Sequence, residues 1–273
     1  MSRELPGLRH WPLWVLGFWC LAVVFARLLD WSPFALSPDA IALERILQGP
    51  SWQALLGHDD LGRDILSRIL AGAEVSLKVA LTVTLVTMIV GVFVGMVAGY
   101  FGGWVDRLLM QVTDVFLAFP GILLAIAFAA VLGPGLNNLI LALCLTSWVG
   151  YARLTRAQAL SLRNRQHVQA AESLGAGAPR IMLRHILPLL SAPLVVEATY
   201  SIAGLVIAEA SLSFLGLGIQ APQASWGSML RDGVRYMLVA PHYVLAVGLS
   251  LMSLVLAVNV LGDKLRDALD VKR

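Results

Sequence analysis

Residues 78–100 read KVALTVTLVTMIVGVFVGMVAGY, and no charged side chain follows the initial lysine. A helix needs about 20 mostly apolar residues to cross the hydrocarbon layer of a bilayer. Every backbone N–H and C=O group in lipid must be paired, and a helix pairs them all within one segment. The stretch shows no alternation of polar and apolar residues of the kind found in outer-membrane barrels. It therefore predicts a transmembrane helix.

The rest of the chain has the same apolar character. Of its 273 residues, 58% are hydrophobic and 14% are charged, whereas a soluble domain carries about 25% charged residues. The absence of a dense Lys/Arg stripe argues against nucleic-acid binding. The composition therefore predicts an all-α, polytopic protein of the lipid bilayer with six transmembrane helices, at 11–29, 78–100, 107–132, 137–157, 189–215 and 239–261.

The positions of the basic residues predict the orientation. With the N terminus inside, the segments on that side hold most of the Lys and Arg, as cytoplasmic segments do. Both termini are then cytoplasmic. The sequence predicts four divisions. They are an N-terminal segment with a retained first helix (1–30), an extracytoplasmic loop (31–77), a transmembrane core that contains a cytoplasmic loop at 158–188 (78–265), and a cytoplasmic tail (266–273).

The predicted cytoplasmic loop at 158–188 has the most informative local pattern. Ala170 and Ala171 lie in a short helix-forming stretch that ends at Gly175. Glycine at this place suits a helix C-terminus, where the backbone turns to positive φ. Pro179 then prevents simple continuation, and a second basic helix is expected to run toward Pro188. The loop therefore predicts a short helix that lies across the membrane face.

This loop resembles the EAA loop of bacterial ABC importer permeases. The matching pattern is Ala170-Ala171-x-x-x-Gly175 followed by Leu187-Pro188, and Gln169 stands where the family usually has Glu. The resemblance implies a helix that docks on an ATPase subunit and couples it to transport. An ordinary amphipathic surface loop is the alternative interpretation. The implied ATPase-coupling residues are Gln169, Ala170, Ala171, Gly175, Leu187 and Pro188.

Three further stretches, 56–77, 114–135 and 209–233, resemble permeases of the dipeptide/oligopeptide/nickel type. The resemblance implies a type I ABC importer permease of a bacterial inner membrane. It would form half of the pathway for di- or oligopeptides or similar small solutes. The implied partners are a second homologous permease in a heterodimer, two ATP-binding subunits and an extracytoplasmic solute-binding protein. The alternatives are nickel or a metal chelate as substrate, or an ion-coupled secondary transporter.

The sequence predicts no chemistry of its own for the chain. It contains no GxxxxGK[ST] loop to hold ATP phosphates, so hydrolysis is expected in partner subunits. No catalytic residue, cofactor or metal site is predicted. The two cysteines lie in apolar runs and form no disulfide or metal-binding spacing.

Three acids within the predicted spans, Asp114, Glu197 and Glu209, are candidates for the pathway or its gate, because charges inside a bilayer usually have a functional or paired role. A structural ion pair or helix-cap role is the alternative. Asp114 is expected to reach a basic residue such as Arg107, and Glu197 and Glu209 are expected to lie close to one helix face. Glu209 is hypothesised to anchor an outer gate.

The charged block before the second span is the last candidate. Asp60, Arg63 and Asp64 form a run of alternating charge on the predicted extracytoplasmic side. One interpretation is a self-paired turn with a helix N-cap. The other is contact with the soluble binding protein or with the second permease, since the planar guanidinium of Arg63 suits carboxylate partners.

Overall fold

A computed structural model describes residues 10–29 and 38–270, and within these ranges the backbone forms no β-strand. The only β-type pairing there is an isolated bridge between His58 and Asp64. The principal helices are α1 Trp11–Leu29, α2 Ile65–Phe101, α3 Gly103–Leu117, α4 Gly121–Leu132, α5 Leu136–Leu162, α6 Gln166–Ser173, α7 Ala178–Ile181, α8 Ser191–Phe214, α9 Trp226–Val234 and α10 Pro241–Asp270.

Three described helical segments are long and apolar enough to cross a membrane. These are Ile65–Phe101, Ala178–Phe214 and Pro241–Leu269. The pair α3 and α4 makes a fourth if the two count as one broken span. The all-α membrane fold is therefore confirmed, whereas α1 and α5 fall outside this set.

The segment predicted as a span at 107–132 is two helices, so the expectation of one continuous helix there was wrong. The axes of α3 and α4 meet at an angle of 83°. Pro120 immediately precedes α4, and proline lacks the N–H group that would continue the hydrogen-bond ladder of α3. Pro120 was visible in the sequence, but apolar composition alone favoured continuity.

The helix predicted at 78–100 begins earlier, at Ile65. Asp64 caps it, because its carboxylate accepts hydrogen bonds from the Ser67 backbone N–H at 2.7 Å and the Ser67 hydroxyl at 2.6 Å. The resulting α2 has 37 residues and is about 55 Å long at 1.5 Å per residue. It exceeds the hydrocarbon thickness of about 30 Å, so its two ends reach beyond opposite sides of a bilayer.

Glycines line the most extensive helix contact among the described residues, which is between α2 and α5. Gly91, Gly95 and Gly99 lie four residues apart on one face of α2. A methyl group added at Gly95 would lie 2.2 Å from the carbonyl oxygen of Ala152. Small residues at such spacing let two helix backbones approach closely in a membrane. This glycine seam (Gly91, Gly95, Gly99) holds the centre of the bundle.

Tryptophans join α1 and α9 to the rest of the bundle. The buried Trp19 of α1 donates from its indole N–H to the Ser253 hydroxyl of α10 at 3.0 Å. Its ring packs edge-on against Trp226 with centroids 5.1 Å apart. Trp226 in turn donates to the Ile69 carbonyl at 3.0 Å. Each indole N–H is thus satisfied while the large apolar ring stays buried.

Candidate functional site

The 158–188 loop contains the short helix that the sequence predicted. This helix, α6, ends in a Schellman motif in which the Ala176 N–H bonds to the Ala171 carbonyl at 3.0 Å and the Gly175 N–H bonds to the Glu172 carbonyl at 2.9 Å. Gly175 has φ +84, a conformation that costs a residue with a Cβ atom more than it costs glycine. The predicted glycine cap is confirmed.

Two contacts hold the loop against the bundle. Val168 is the buried residue of α6 and packs in a cluster with Met96 of α2 and Ile181 of α7. Arg163 donates to the Tyr100 carbonyl at the end of α2 at 3.0 Å, where a cation also suits the negative end of the helix dipole. The loop is therefore anchored to the C-terminal end of α2.

The candidate coupling residues lie on the free side of this loop. Gln169, Ala170 and Gly175 are exposed, and Ala171 is half-buried. Leu174, at the tip, is 89% exposed. Nothing lies within 4 Å of a methyl group added at Gly175. The face therefore has room for another backbone to approach, which small side chains permit.

A continuous helical path leads from the loop into α8. After α7 the chain makes π-helical turns over Met182–Ile186 and 3₁₀ turns over Leu187–Leu190. Leu187 is half-buried and Pro188 is exposed. The changes in helix pitch accommodate Pro188 without a break, so the loop and α8 are joined by continuous helical turns.

A charge cluster lies at the other end of α2, formed by Asp59, Asp60, Arg63 and Arg68 and called the Asp59 cluster below. The Asp59 carboxylate is fully buried and accepts from the Arg63 guanidinium at 2.7 Å and from the Arg63 backbone N–H at 2.9 Å. Arg68 lies 3.3 Å from the same carboxylate and donates to the Pro38 carbonyl at 3.0 Å.

The structure separates the three charged residues that the sequence grouped together. Arg63 is buried and engaged with Asp59, and Asp64 caps α2. Asp60 is partly exposed, and its pKa is raised from the ordinary value by burial, by Asp59 and by Asp232, which together outweigh Arg63. The interpretation as a self-paired turn and helix cap matches this geometry.

Glu209 of α8 is fully buried near the same end of the bundle. Its carboxylate accepts from the Ser76 hydroxyl of α2 at 2.7 Å and from the Ser213 hydroxyl at 2.9 Å. The Ser213 hydroxyl oxygen also accepts from the Ile219 backbone N–H at 3.3 Å. Glu209 therefore links α2 and α8 to the segment that leads into α9.

The other two acids have different environments. Glu197 is half-buried. One oxygen of its carboxylate lies 3.3 Å from the place that a methyl group added at Gly150 would occupy. At 100° per residue, the twelve positions between Glu197 and Glu209 make three full turns and about 120° more. The two side chains therefore point in different directions, and the expectation that they share a face was wrong. Asp114 pairs with Arg153 of α5 at 2.5 Å rather than with Arg107.

The family model for "Binding-protein-dependent transport system inner membrane component" matches residues 91–271. This range contains the 158–188 loop, α8 and α10. The chain belongs to this family. It is therefore the permease subunit of a binding-protein-dependent ABC importer, an inner-membrane component whose family relies on separate ATPase and binding-protein subunits.

Curated relatives of this permease match it over nearly its whole length. The glutathione transport system permease protein GsiD of Escherichia coli O6:K15:H31 (strain 536 / UPEC) is 43% identical over 264 residues, covering 97% of this chain and 87% of the relative. GsiD of Shigella flexneri serotype 5b (strain 8401) is 45% identical over the same length and coverage.

A solved structure supports the fold of this permease. An inward-facing crystal form of the MetNI methionine ABC transporter aligns with a TM-score of 0.55 at 20% identity, covering 73% of this chain and 95% of that chain. Because the identity is low, this likeness concerns the fold alone.

Sequence reasoning missed two polar positions in this permease. Arg68 was assigned no role, although it is 3% exposed and lies beside Asp59. Arg156 of α5 pairs through two contacts with Asp106 of α3, next to the Arg153–Asp114 pair. The spacing of Asp106 and Asp114, two turns apart on α3, was the available signal for these ion pairs.

Proposed function

We propose that this permease forms half of the pathway of an importer for glutathione or similar short peptides. Sequence identity of 43% to glutathione permeases over nearly the full chain supports this substrate class. The proposal includes six membrane crossings, both termini in the cytoplasm, and the divisions 1–30, 31–77, 78–265 and 266–273 predicted from the sequence.

The observation that carries the proposal is the exposed, glycine-capped helix α6 at the end of α2 opposite the Asp59 cluster. Its exposed residues Gln169 and Ala170, with Gly175 at its end, would dock into an ATP-binding subunit. Closure of two such subunits would move α6, and the helical path through Leu187 and Pro188 would pass the movement to α8. Transport then requires two global states to which nucleotide binds with different affinity.

A second homologous permease is the proposed partner within the membrane. Trp104, Leu108, Val112 and Val115 are exposed, and their spacing places them along one face of α3. Asp106 and Asp114, through which α3 pairs with α5, lie on a different side of α3 from this apolar face. Asp114 and Glu197 remain candidates for the pathway that would lie between the two permeases.

At the opposite end, Glu209 is proposed to anchor the outer gate, because it joins α2, α8 and the segment before α9. Asp60 and Asp64 are proposed to contact the solute-binding protein or the second permease. Arg63 is only 5% exposed. Its side chain would therefore reach such a partner only after breaking its ion pair with Asp59.

Glu209→Gln tests the gate. The amide supplies one acceptor oxygen in place of two, so one serine hydroxyl loses its partner. We expect receptor-dependent uptake to fall severalfold while the amount of protein in the membrane is unchanged. Ser211→Ala is the control, because the Ser211 hydroxyl bonds only to its own helix at Ile207. Normal uptake by Glu209→Gln would remove the gate hypothesis.

Two measurements on whole cells test the proposed function. Cells that express the complete importer should accumulate labelled glutathione while ATP is present, even after the proton gradient has collapsed. Single cysteines at 169 and 52, in a chain freed of Cys20 and Cys144, should react with an impermeant thiol reagent only at 52 in intact cells. Labelling at 169 in intact cells would overturn the topology and the docking of α6.

A further inference from the structure

A cavity of about 640 Å³ opens between α5, α8 and α10, at the end of the bundle that carries the 158–188 loop. Its walls include Leu154 of α5, Leu189 before α8 and Leu269 of α10. Volumes of roughly 300–1,000 Å³ with apolar walls and a few polar groups are typical of small-molecule sites. The size therefore suits a ligand of a few amino acids.

The acidic and the basic side chains of this cavity belong to different parts of its wall. Glu197 lies on the α8 wall, half-buried and without an ion pair to any residue in the described part of the chain. Arg165 and Arg266 line the rim. Arg165 has no ion pair within residues 10–29 and 38–270, and Arg266 contacts the Tyr200 hydroxyl, which donates to Asp263 at 2.6 Å. A half-buried, unpaired carboxylate is costly, and a bound cation would offset that cost.

We propose that this cavity binds a small zwitterion, with its ammonium group at Glu197 and its carboxylate at Arg165 and Arg266. An ammonium group supplies the hydrogen-bond donors that an unpaired carboxylate lacks, and a guanidinium matches a carboxylate with two parallel hydrogen bonds. Peptides with free termini carry both charges. The inference rests on the proposed function, to which it adds a site where the substrate is held before it leaves the permease.

A phosphatidylethanolamine headgroup carries the same two charges, and the depth of the charges distinguishes the two sources. Glu197 lies six residues into α8, about 9 Å beyond its first residue. Arg165 immediately precedes α6 in the loop. The negative group is therefore the deeper one. A lipid headgroup has the opposite order, because its ammonium lies outside its phosphate, so the geometry favours a free zwitterion.

The test uses the assembled importer with its ATP-binding subunits, in nanodiscs of phosphatidylcholine and phosphatidylglycerol, without receptor or nucleotide. Saturation-transfer-difference NMR reports binding of alanyl-alanine at millimolar concentration. We expect a signal that falls at least fivefold in Glu197→Gln, and that falls similarly when the probe is N-acetyl-alanyl-alanine or alanyl-alaninamide. Asp267→Asn, which changes an exposed acid of α10 outside this cavity, should retain the full signal.

Three results would overturn the inference. One is an equal alanyl-alanine signal in the wild type and in Glu197→Gln. Another is equal binding of the free and the blocked probes, a comparison that stands even if Glu197→Gln fails to fold. The third is loss of the signal when phosphatidylethanolamine is added, with native mass spectrometry showing that lipid retained by the wild type and lost from Glu197→Gln.

Uptake assays separate this inference from the proposed function. Receptor-dependent, ATP-driven uptake by the wild type without detectable binding in the cavity would remove the inference and leave the importer assignment standing. Binding in the cavity without ATP-driven uptake would remove the proposed importer function and leave the binding site standing.

Discussion

The 158–188 loop and the Asp59 cluster lie at opposite ends of α2, and they use polar residues in opposite ways. In the loop, Gln169 and Ala170 are exposed and make few contacts within the chain. In the cluster, Asp59 and Arg63 are buried and bonded to each other. The sequence suggested a contact surface at both ends, through the resemblance to a coupling loop at 158–188 and through a run of charges at Asp60, Arg63 and Asp64. These polar side chains of the loop face solvent, whereas Asp59, Arg63 and Arg68 of the cluster are buried and engaged with one another.

This difference predicts that substitutions at the two ends will fail in different ways. Changes at the exposed loop residues Gln169 and Ala170 should impair transport and leave the protein stable, because their side chains face solvent. Changes at the buried charges of the Asp59 cluster, which are Asp59, Arg63 and Arg68, should lower stability first, because they leave buried charges unpaired.

The largest effect is expected from Gly175→Arg. The substitution places a long charged side chain on the proposed docking face, so we expect uptake to be abolished and ATP hydrolysis no longer to respond to the receptor. The positive φ of Gly175 costs a non-glycine residue roughly 1–2 kcal/mol, so the protein should remain in the membrane.

Gly175→Ala is the matched control, because it imposes the same backbone strain without the long side chain. We expect it to retain most of its transport. Receptor-stimulated ATP hydrolysis that survives Gly175→Arg would contradict the docking role of the loop.

The next largest effect is expected from Asp59→Asn. It removes the carboxylate that faces both Arg63 and Arg68. Breaking a buried ion pair on one side costs about 3–5 kcal/mol, so we expect a marked fall in thermal stability in detergent. Asp39→Asn is the control, since Asp39 is half exposed and lies 3.4 Å from Arg68; exposed pairs contribute less than about 1 kcal/mol. Equal stability of both variants would show that the cluster is not a buried network.

A smaller effect is expected from Asp64→Ala, which removes the cap of α2. Loss of an N-cap side chain typically costs about 1 kcal/mol, and here it also frees the Ser67 N–H and hydroxyl. The measurement is thermal unfolding together with uptake. If uptake fell while stability did not change, Asp64 would act as a contact residue and the contrast between the two ends would weaken.

The smallest effect is expected from Asp60→Asn, and its sign is the informative part. The pKa of Asp60 is raised by burial and by the acids Asp59 and Asp232. A group whose pKa is raised on folding stabilises the folded state at low pH, and that contribution is lost as the pH rises through the raised pKa. Asp60→Asn should therefore be as stable as the wild type in acid and slightly more stable near pH 7. A destabilised variant near pH 7 would mean that the pairing with Arg63 outweighs the repulsion.

Prediction from the sequence succeeded where the signal was local. The helix in the 158–188 loop followed from residue preferences and from Gly175, which ends a helix through bonds that reach back only three to five residues. The cap at Asp64 followed from its place before an apolar run. The bend at Pro120 shows the limit of apolar composition, which measures whether a segment is soluble in lipid and does not measure whether it is one helix.

The candidate site was harder to predict, because its contacts join residues far apart in the chain. The bond between Ser76 and Glu209 spans 133 positions, and the bond between Asp106 and Arg156 spans 50. Each depends on the rotation of two helices about their own axes. That rotation is set by packing, such as the fit of Gly95 against the Ala152 carbonyl, which no single segment specifies.

The sequence by itself determined that this protein lies in a lipid bilayer, and it determined where individual helices begin and end. The apolar runs require a bilayer, and the caps at Asp64 and Gly175 mark where helices begin and end. The tertiary structure alone decided which polar groups are buried and which are exposed. It buries Asp59 and leaves Gln169 exposed. The reason is that the burial of a side chain depends on which helices face each other. In lipid, the facing of helices follows from close packing and polar pairing between them, and not from the apolar character of a single helix.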